Sequence, residues 1–80
     1  MNDSIGFQMN IGFVGFGEAG STIAKGLRSA GVERLSAFDI NRDEPKLGPV
    51  MRRRAAESET TLVESSAELA RQSQIIFSTV

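Results

Sequence analysis

The chain has 80 residues, 40% of them hydrophobic and 24% charged, with a formal net charge of -1; that is one small globular domain with no general attraction to nucleic acid or to an anionic membrane. Cys, His, Trp and Tyr are all absent, which excludes disulfides, a thiolate metal site, a cysteine nucleophile and the commonest general base, and argues against a base-stacking platform. No apolar run reaches the length of a membrane span, and no basic segment precedes a long apolar one, so a soluble cytoplasmic protein is expected.

Residues 1–8 carry no pattern beyond apolar Ile5 and Phe7 and read as a flexible N-terminal extension ahead of a domain over 9–80. Ile11-Gly12-Phe13-Val14 is short and apolar, as suits a strand buried on both faces of a parallel sheet. A helix is expected from Ser21 to Ala30, its apolar stripe made by Ala19, Ile23, Leu27 and Ala30, with Gly31 ending it. Val32 to Phe38 reads as a second strand closed by Asp39. The passage Asn41 to Pro49 is turn-rich. Either of its prolines could open a helix, at the first helical position, with Val50 to Glu57 as the helical stretch.

A third short strand is expected at Thr60 to Val63. Ser65 and Glu68 then form a Ser-x-x-Glu capping box for a helix to about Gln72. Gln74 to Val80, with Ile75-Ile76-Phe77-Ser78-Thr79-Val80, reads as a buried fourth strand. Four strands alternate with three helices, and right-handed crossovers order the strands 3-2-1-4. The fold class is α/β, a partial Rossmann-type doubly wound parallel sheet. Such a sheet continues past its fourth strand, so the 80 residues are expected to be part of a longer enzyme.

The stretch that carries chemistry is Gly15-Phe16-Gly17-Glu18-Ala19-Gly20, set between a strand and a helix as a dinucleotide fingerprint requires. Gly15 permits the tight turn, Gly17 leaves room for a diphosphate against the backbone, and Gly20 lets helix and strand lie close. The unpaired amides and the helix dipole would face the phosphates. Asp39 lies 19 positions after Gly20, near where an acid meets the ribose of the adenosine half. The alternatives are a purely structural loop for the glycines and a turn or cap acid for Asp39.

These residues, with Phe38-Asp39-Ile40-Asn41-Arg42 downstream, resemble the N-terminus of the β-hydroxyacid dehydrogenase family, including its 6-phosphogluconate and 3-hydroxyisobutyrate dehydrogenase-like members. The resemblance implies NAD(P)-dependent hydride transfer at the CH–OH group of a small hydroxy acid. It implies cofactor contacts from Phe16, Glu18 and Ala19 in the turn and from Thr79 and Val80 after the fourth strand; Ile40 and Arg42, just past the second strand, are further candidates, Arg42 by clamping a 2′-phosphate or stacking on adenine. It also implies that the catalytic lysine lies in later segments, that this stretch alone is not catalytic, and that dimers form through C-terminal regions. Glu18 departs from the apolar residue many members carry and is expected to point outward. Asp39 at the strand end, with Asn41-Arg42 two places later, points to NAD, with NADP as the alternative.

Other classes are a non-catalytic NAD-sensing module and a Rossmann-like methyl-donor-binding transferase domain. Arg52-Arg53-Arg54 sit among glutamates and read as a solvated helix face. Arg42 could equally be a solvent-exposed loop residue, and Ser78 and Thr79 could simply fill a strand. Met51 and Phe77 are expected in the core.

Overall fold

The computed structural model describes residues 9–80; the extension expected at 1–8 lies outside the described residues. Strands β1 (Asn10–Val14), β2 (Arg34–Phe38), β3 (Thr61–Leu62) and β4 (Ile75–Ser78) alternate with helices α1 (Glu18–Ser29), α2 (Leu47–Ser58) and α3 (Ser66–Gln72). All strand pairs are parallel, and the sheet order is β3-β2-β1-β4. The architecture is therefore the α/β parallel sheet, with its 3-2-1-4 order, that alternating elements and right-handed crossovers predict.

β1 is the axis of the sheet. Ile11 and Phe13 pair with Leu35 and Ala37 of β2 on one side and with Ile75 and Phe77 of β4 on the other. Because strand side chains alternate between faces, these odd positions share one face. There Ile11, Phe13, Leu35 and Ala37 join Phe16, Val32, Ala24 of α1 and Ala55 of α2 in one buried cluster, with Leu27 and Leu62 packed against it. Gly12 faces the other way, toward Leu69 of α3 and Ser73. Leu69 is fully buried.

Three expectations are corrected by this packing. The stripe of α1 that meets the sheet is Gly20 and Ala24, with Ser21 buried beside them, whereas Ala19 and Ala30 are exposed and Ile23 is 38% exposed. Only Leu27 of the expected stripe packs on the core. The close approach at Gly20 sets the helix's rotation, and hydrophobicity comes second. The second helix begins three residues earlier than expected, so Pro49 occupies the third position of α2. Its missing N–H is still one of the unpaired donors of a first turn, so the helix tolerates it. Finally, β4 is not buried. All four of its residues are exposed, because it is an edge strand against which no helix packs broadly.

The capping box forms in part. Ser65 Oγ accepts from Glu68 N–H at 3.0 Å, but Glu68 Oε1 reaches the N–H of Glu64 at 3.2 Å, one residue before the expected partner. Among the described residues no helix is long and apolar enough to cross a membrane.

Candidate functional site

Strand β1 ends at Val14, and the chain turns at Gly15, whose φ of +89° lies in the left-handed region. Both neighbouring strands follow it a step further: Gly15 N–H donates to Phe38 C=O at 2.8 Å, and Thr79 N–H donates to Val14 C=O at 2.8 Å. A side chain at Gly15 would also press its Cβ to within 2.8 Å of Val80 Cγ1. At Gly20 a Cβ would meet Thr79 Oγ1 at 2.7 Å and Gly15 O at 2.9 Å. The fold itself thus demands glycine at 15 and 20. Gly17 is different. Its φ is -80°, open to any residue, and a Cβ there would have nothing within 4 Å.

Gly17 caps α1 without any side-chain bond, and the first intrahelical bond runs from Ser21 N–H to Gly17 C=O at 3.0 Å. The amides of Gly17, Glu18, Ala19 and Gly20 precede that bond and are the unpaired donors of the helix. They make this end of α1 electropositive. The Glu18 side chain is exposed, in line with the outward orientation expected of it.

An open cavity of about 350 Å³ lies at this end of the sheet. The turn contributes Gly15 and Gly17, β2 contributes Asp39 and Ile40 just past its end, and the segment after β4 contributes Thr79 and Val80. It therefore sits beyond the carboxyl ends of β2, β1 and β4, at β1, where the strand order reverses from the β2 side to the β4 side; open α/β sheets bind ligands in such crevices. Ile40 and Val80 are 84% and 97% exposed, so the cavity has an apolar rim.

Asp39 is buried, at 8% exposure. Its Oδ2 accepts the Phe16 N–H at 2.7 Å, and its Oδ1 accepts the Asn41 N–H at 2.8 Å. The acid is thus a turn residue as well as a cavity wall. Thr79 Oγ1 donates to Gly15 C=O at 2.6 Å.

Of the residues singled out in the sequence, the structure brings together Gly15, Gly17, Asp39, Ile40, Thr79 and Val80 around the cavity. Gly20 lies behind Thr79, and Glu18 and Ala19 are exposed in the first turn of α1. Phe16 does not face the cavity: its ring is fully buried in the core, 5.8 Å from that of Phe13, and its amide is committed to Asp39. Arg42 does not line the cavity either; its Nη1 lies 3.3 Å from the Asp43 carboxylate. Val14, Phe38, Asn41 and Met51 complete the lining and were not anticipated as site residues. Met51 is buried as expected of a core residue, and it reaches the cavity from α2.

No family model and no curated protein matches the chain. Among solved structures it is similar to a conserved hypothetical protein from Sinorhizobium meliloti 1021, at 35% identity and a TM-score of 0.80 over 90% of this chain. The chain spans 24% of that protein's length.

Proposed function

We propose that this chain is the nicotinamide dinucleotide-binding portion of an oxidoreductase acting on the CH–OH group of a small hydroxy acid, as its resemblance to the β-hydroxyacid dehydrogenases implies. The observation that carries the reading is Gly17. Packing explains the glycines at 15 and 20, but nothing in the fold requires one at 17, where a Cβ would stand in open space at the cavity wall. A diphosphate approaching the unpaired amides of α1 does require it. A methyl-donor site also uses a glycine turn, but the Gly15-x-Gly17-x-x-Gly20 spacing with Gly20 packed close favours the dinucleotide.

In this reading the amides of Gly17, Glu18 and Ala19 hold the diphosphate. Ile40 and Val80 border the bound ligand, and Asp39 meets the adenosine ribose with the lone pairs its backbone bonds leave free. A carboxylate there repels a 2′-phosphate, and Arg42 is turned to Asp43, so NAD is favoured over NADP. The cofactor supplies hydride exchange with the substrate carbon. The two lysines do not line the cavity: Lys25 Nζ lies 3.4 Å from Glu57 Oε1, and Lys46 precedes α2. Substrate and general acid or base are therefore assigned to other parts of a longer enzyme.

Calorimetric titration with NADH, NADPH and S-adenosylmethionine tests the proposal. NADH should bind most tightly. Gly17→Ala should weaken it by about tenfold or more while stability stays within about 1 kcal/mol, since Ala fits the backbone there. Equal NADH affinity in Gly17→Ala and the parent, or binding of the methyl donor alone, would sink the reading.

A further inference from the structure

We infer that Asp39 and Thr79 are positioning residues which grip one peptide plane, that between Gly15 and Phe16, from its two ends. The ligand in this inference rests on the dinucleotide reading above; the geometry does not. Asp39 Oδ2 accepts the Phe16 N–H at 2.7 Å, and Thr79 Oγ1 donates to the Gly15 C=O at 2.6 Å. These two backbone groups belong to the same peptide unit. One clamp comes from the strand on one side of β1 and the other from the strand on its opposite side.

The plane has one soft side, because the residue before it is glycine. Rotating it turns ψ of Gly15, which glycine tolerates at little cost, together with φ of Phe16, which its ring, fully buried in the core, resists. The two side-chain bonds supply on the Gly15 side the hold that glycine lacks. Rotation would break both side-chain bonds at once and would leave the buried carboxylate of Asp39 short of a donor. The second bond of Asp39, to the Asn41 N–H at 2.8 Å, fixes the carboxylate while it holds the plane. Thr79 is fixed likewise, since its own N–H is paired with Val14 C=O.

With the plane locked, the Phe16 N–H is withheld from any ligand, and the chain leaves the turn toward Gly17 in a single direction. The unpaired amides of α1, with Gly17 at the cavity wall, are then arranged before a ligand arrives, so binding does not have to order them. Asp39 thereby influences diphosphate binding as well as ribose binding, through the turn it holds. Asn cannot replace it evenly, because its NH₂ group would oppose one of the two backbone N–H donors.

Two measurements on Thr79→Val, Thr79→Ser and Asp39→Ser test the inference. Hydrogen exchange at the Phe16 amide reports on the plane directly, with no ligand. Calorimetry with ADP and with 2′,3′-dideoxy-ADP separates the turn from the ribose, because the second probe has no hydroxyls for Asp39 to accept from. Thr79→Val should speed Phe16 exchange and weaken both nucleotides by about three- to tenfold, the scale of one hydrogen bond; Asp39→Ser should do the same to the dideoxy analogue and weaken ADP further, by the lost ribose contact. Thr79→Ser, which keeps the hydroxyl, should restore the parent values. The inference is overturned if Phe16 exchange is unchanged in Thr79→Val, or if Asp39→Ser weakens ADP but not its dideoxy analogue. If Asp39→Ser does not fold, the Thr79→Val and Thr79→Ser pair decides alone. If the parent binds neither nucleotide, the dinucleotide reading fails, and the exchange measurement still decides the clamp.

Discussion

Strands β1 and β4, Ile11-Gly12-Phe13-Val14 and Ile75-Ile76-Phe77-Ser78, pair position for position and share the isoleucine and the phenylalanine of the core-facing positions. Their surroundings differ sharply. Ile11, Gly12 and Phe13 are buried, and Phe13 is 0% exposed, while Ile75, Ile76 and Phe77 are 40%, 44% and 37% exposed. An apolar strand is buried by what flanks it. β1 has a strand on each side, Ala24 in the cluster on one face and α3 on the other, whereas β4 has β1 on one side only. The phenylalanines make the contrast measurable, since Phe13 and Phe77 stack on each other with ring centroids 5.5 Å apart.

The largest expected effect follows from that pair. Phe13→Ala should cost about 3–5 kcal/mol in urea unfolding, since it empties the centre of the core. Phe77→Ala should cost less than about 2 kcal/mol, because its ring already meets solvent. Equal losses would break the comparison and would mean that β4 is covered in solution.

Next in size is the turn from β1 into α1, which packs against the residues that follow β4. Gly15→Ala would place a side chain in the left-handed region and against Val80, and should cost about 1–3 kcal/mol. A loss that small in a Phe13→Ala background, with the two adding independently, would show that core and turn respond separately. Coupling well above additivity would show that the β1–β4 seam melts as a unit.

Much of this was legible in the residues, and the parts that were not have physical causes. Sheet order was legible because alternating strands and helices joined by right-handed crossovers leave few arrangements. The cavity's outline was legible because Gly15, Gly17 and Asp39 sit at fixed offsets from strand ends. The rotation of α1 was not, since Ile23 is a larger hydrophobe than Ala24 and only the tight contact at Gly20 turns Ala24 inward. The exposure of β4 was hidden because its residues alone do not tell an edge strand from a central one. The inward turn of Phe16 and the double duty of Asp39 were hidden because spacing does not say where a side chain points.

Arg28 was hidden for a related reason: its partners are main-chain groups. Its guanidinium donates to the carbonyls of Glu33 at 3.0 Å, Ser58 at 3.3 Å and Glu59 at 2.5 Å. It thereby ties the end of α1 to the start of β2 and to the turn after α2, where Glu59 adopts the left-handed conformation at φ 54°. This fastening belongs to the β2 side of the sheet, the covered half of the comparison.

The same two helices share an ion pair, Lys25 to Glu57 at 3.4 Å, with both side chains about half exposed, and the two links should differ in strength. Arg28→Ala removes three hydrogen bonds to main-chain carbonyls, two of them exposed to water, and should cost about 0.5–1.5 kcal/mol. Lys25→Ala removes a solvent-screened pair and should cost less than about 0.5 kcal/mol. Urea unfolding at low and high salt checks both. The Arg28 loss should survive salt, because its acceptors are neutral carbonyls, and the small Lys25 loss should vanish. Were Lys25→Ala the costlier change, surface charge would be holding α1 to α2, and the covered half of the sheet would owe less to its backbone fastening than the hydrogen bonds of Arg28 indicate.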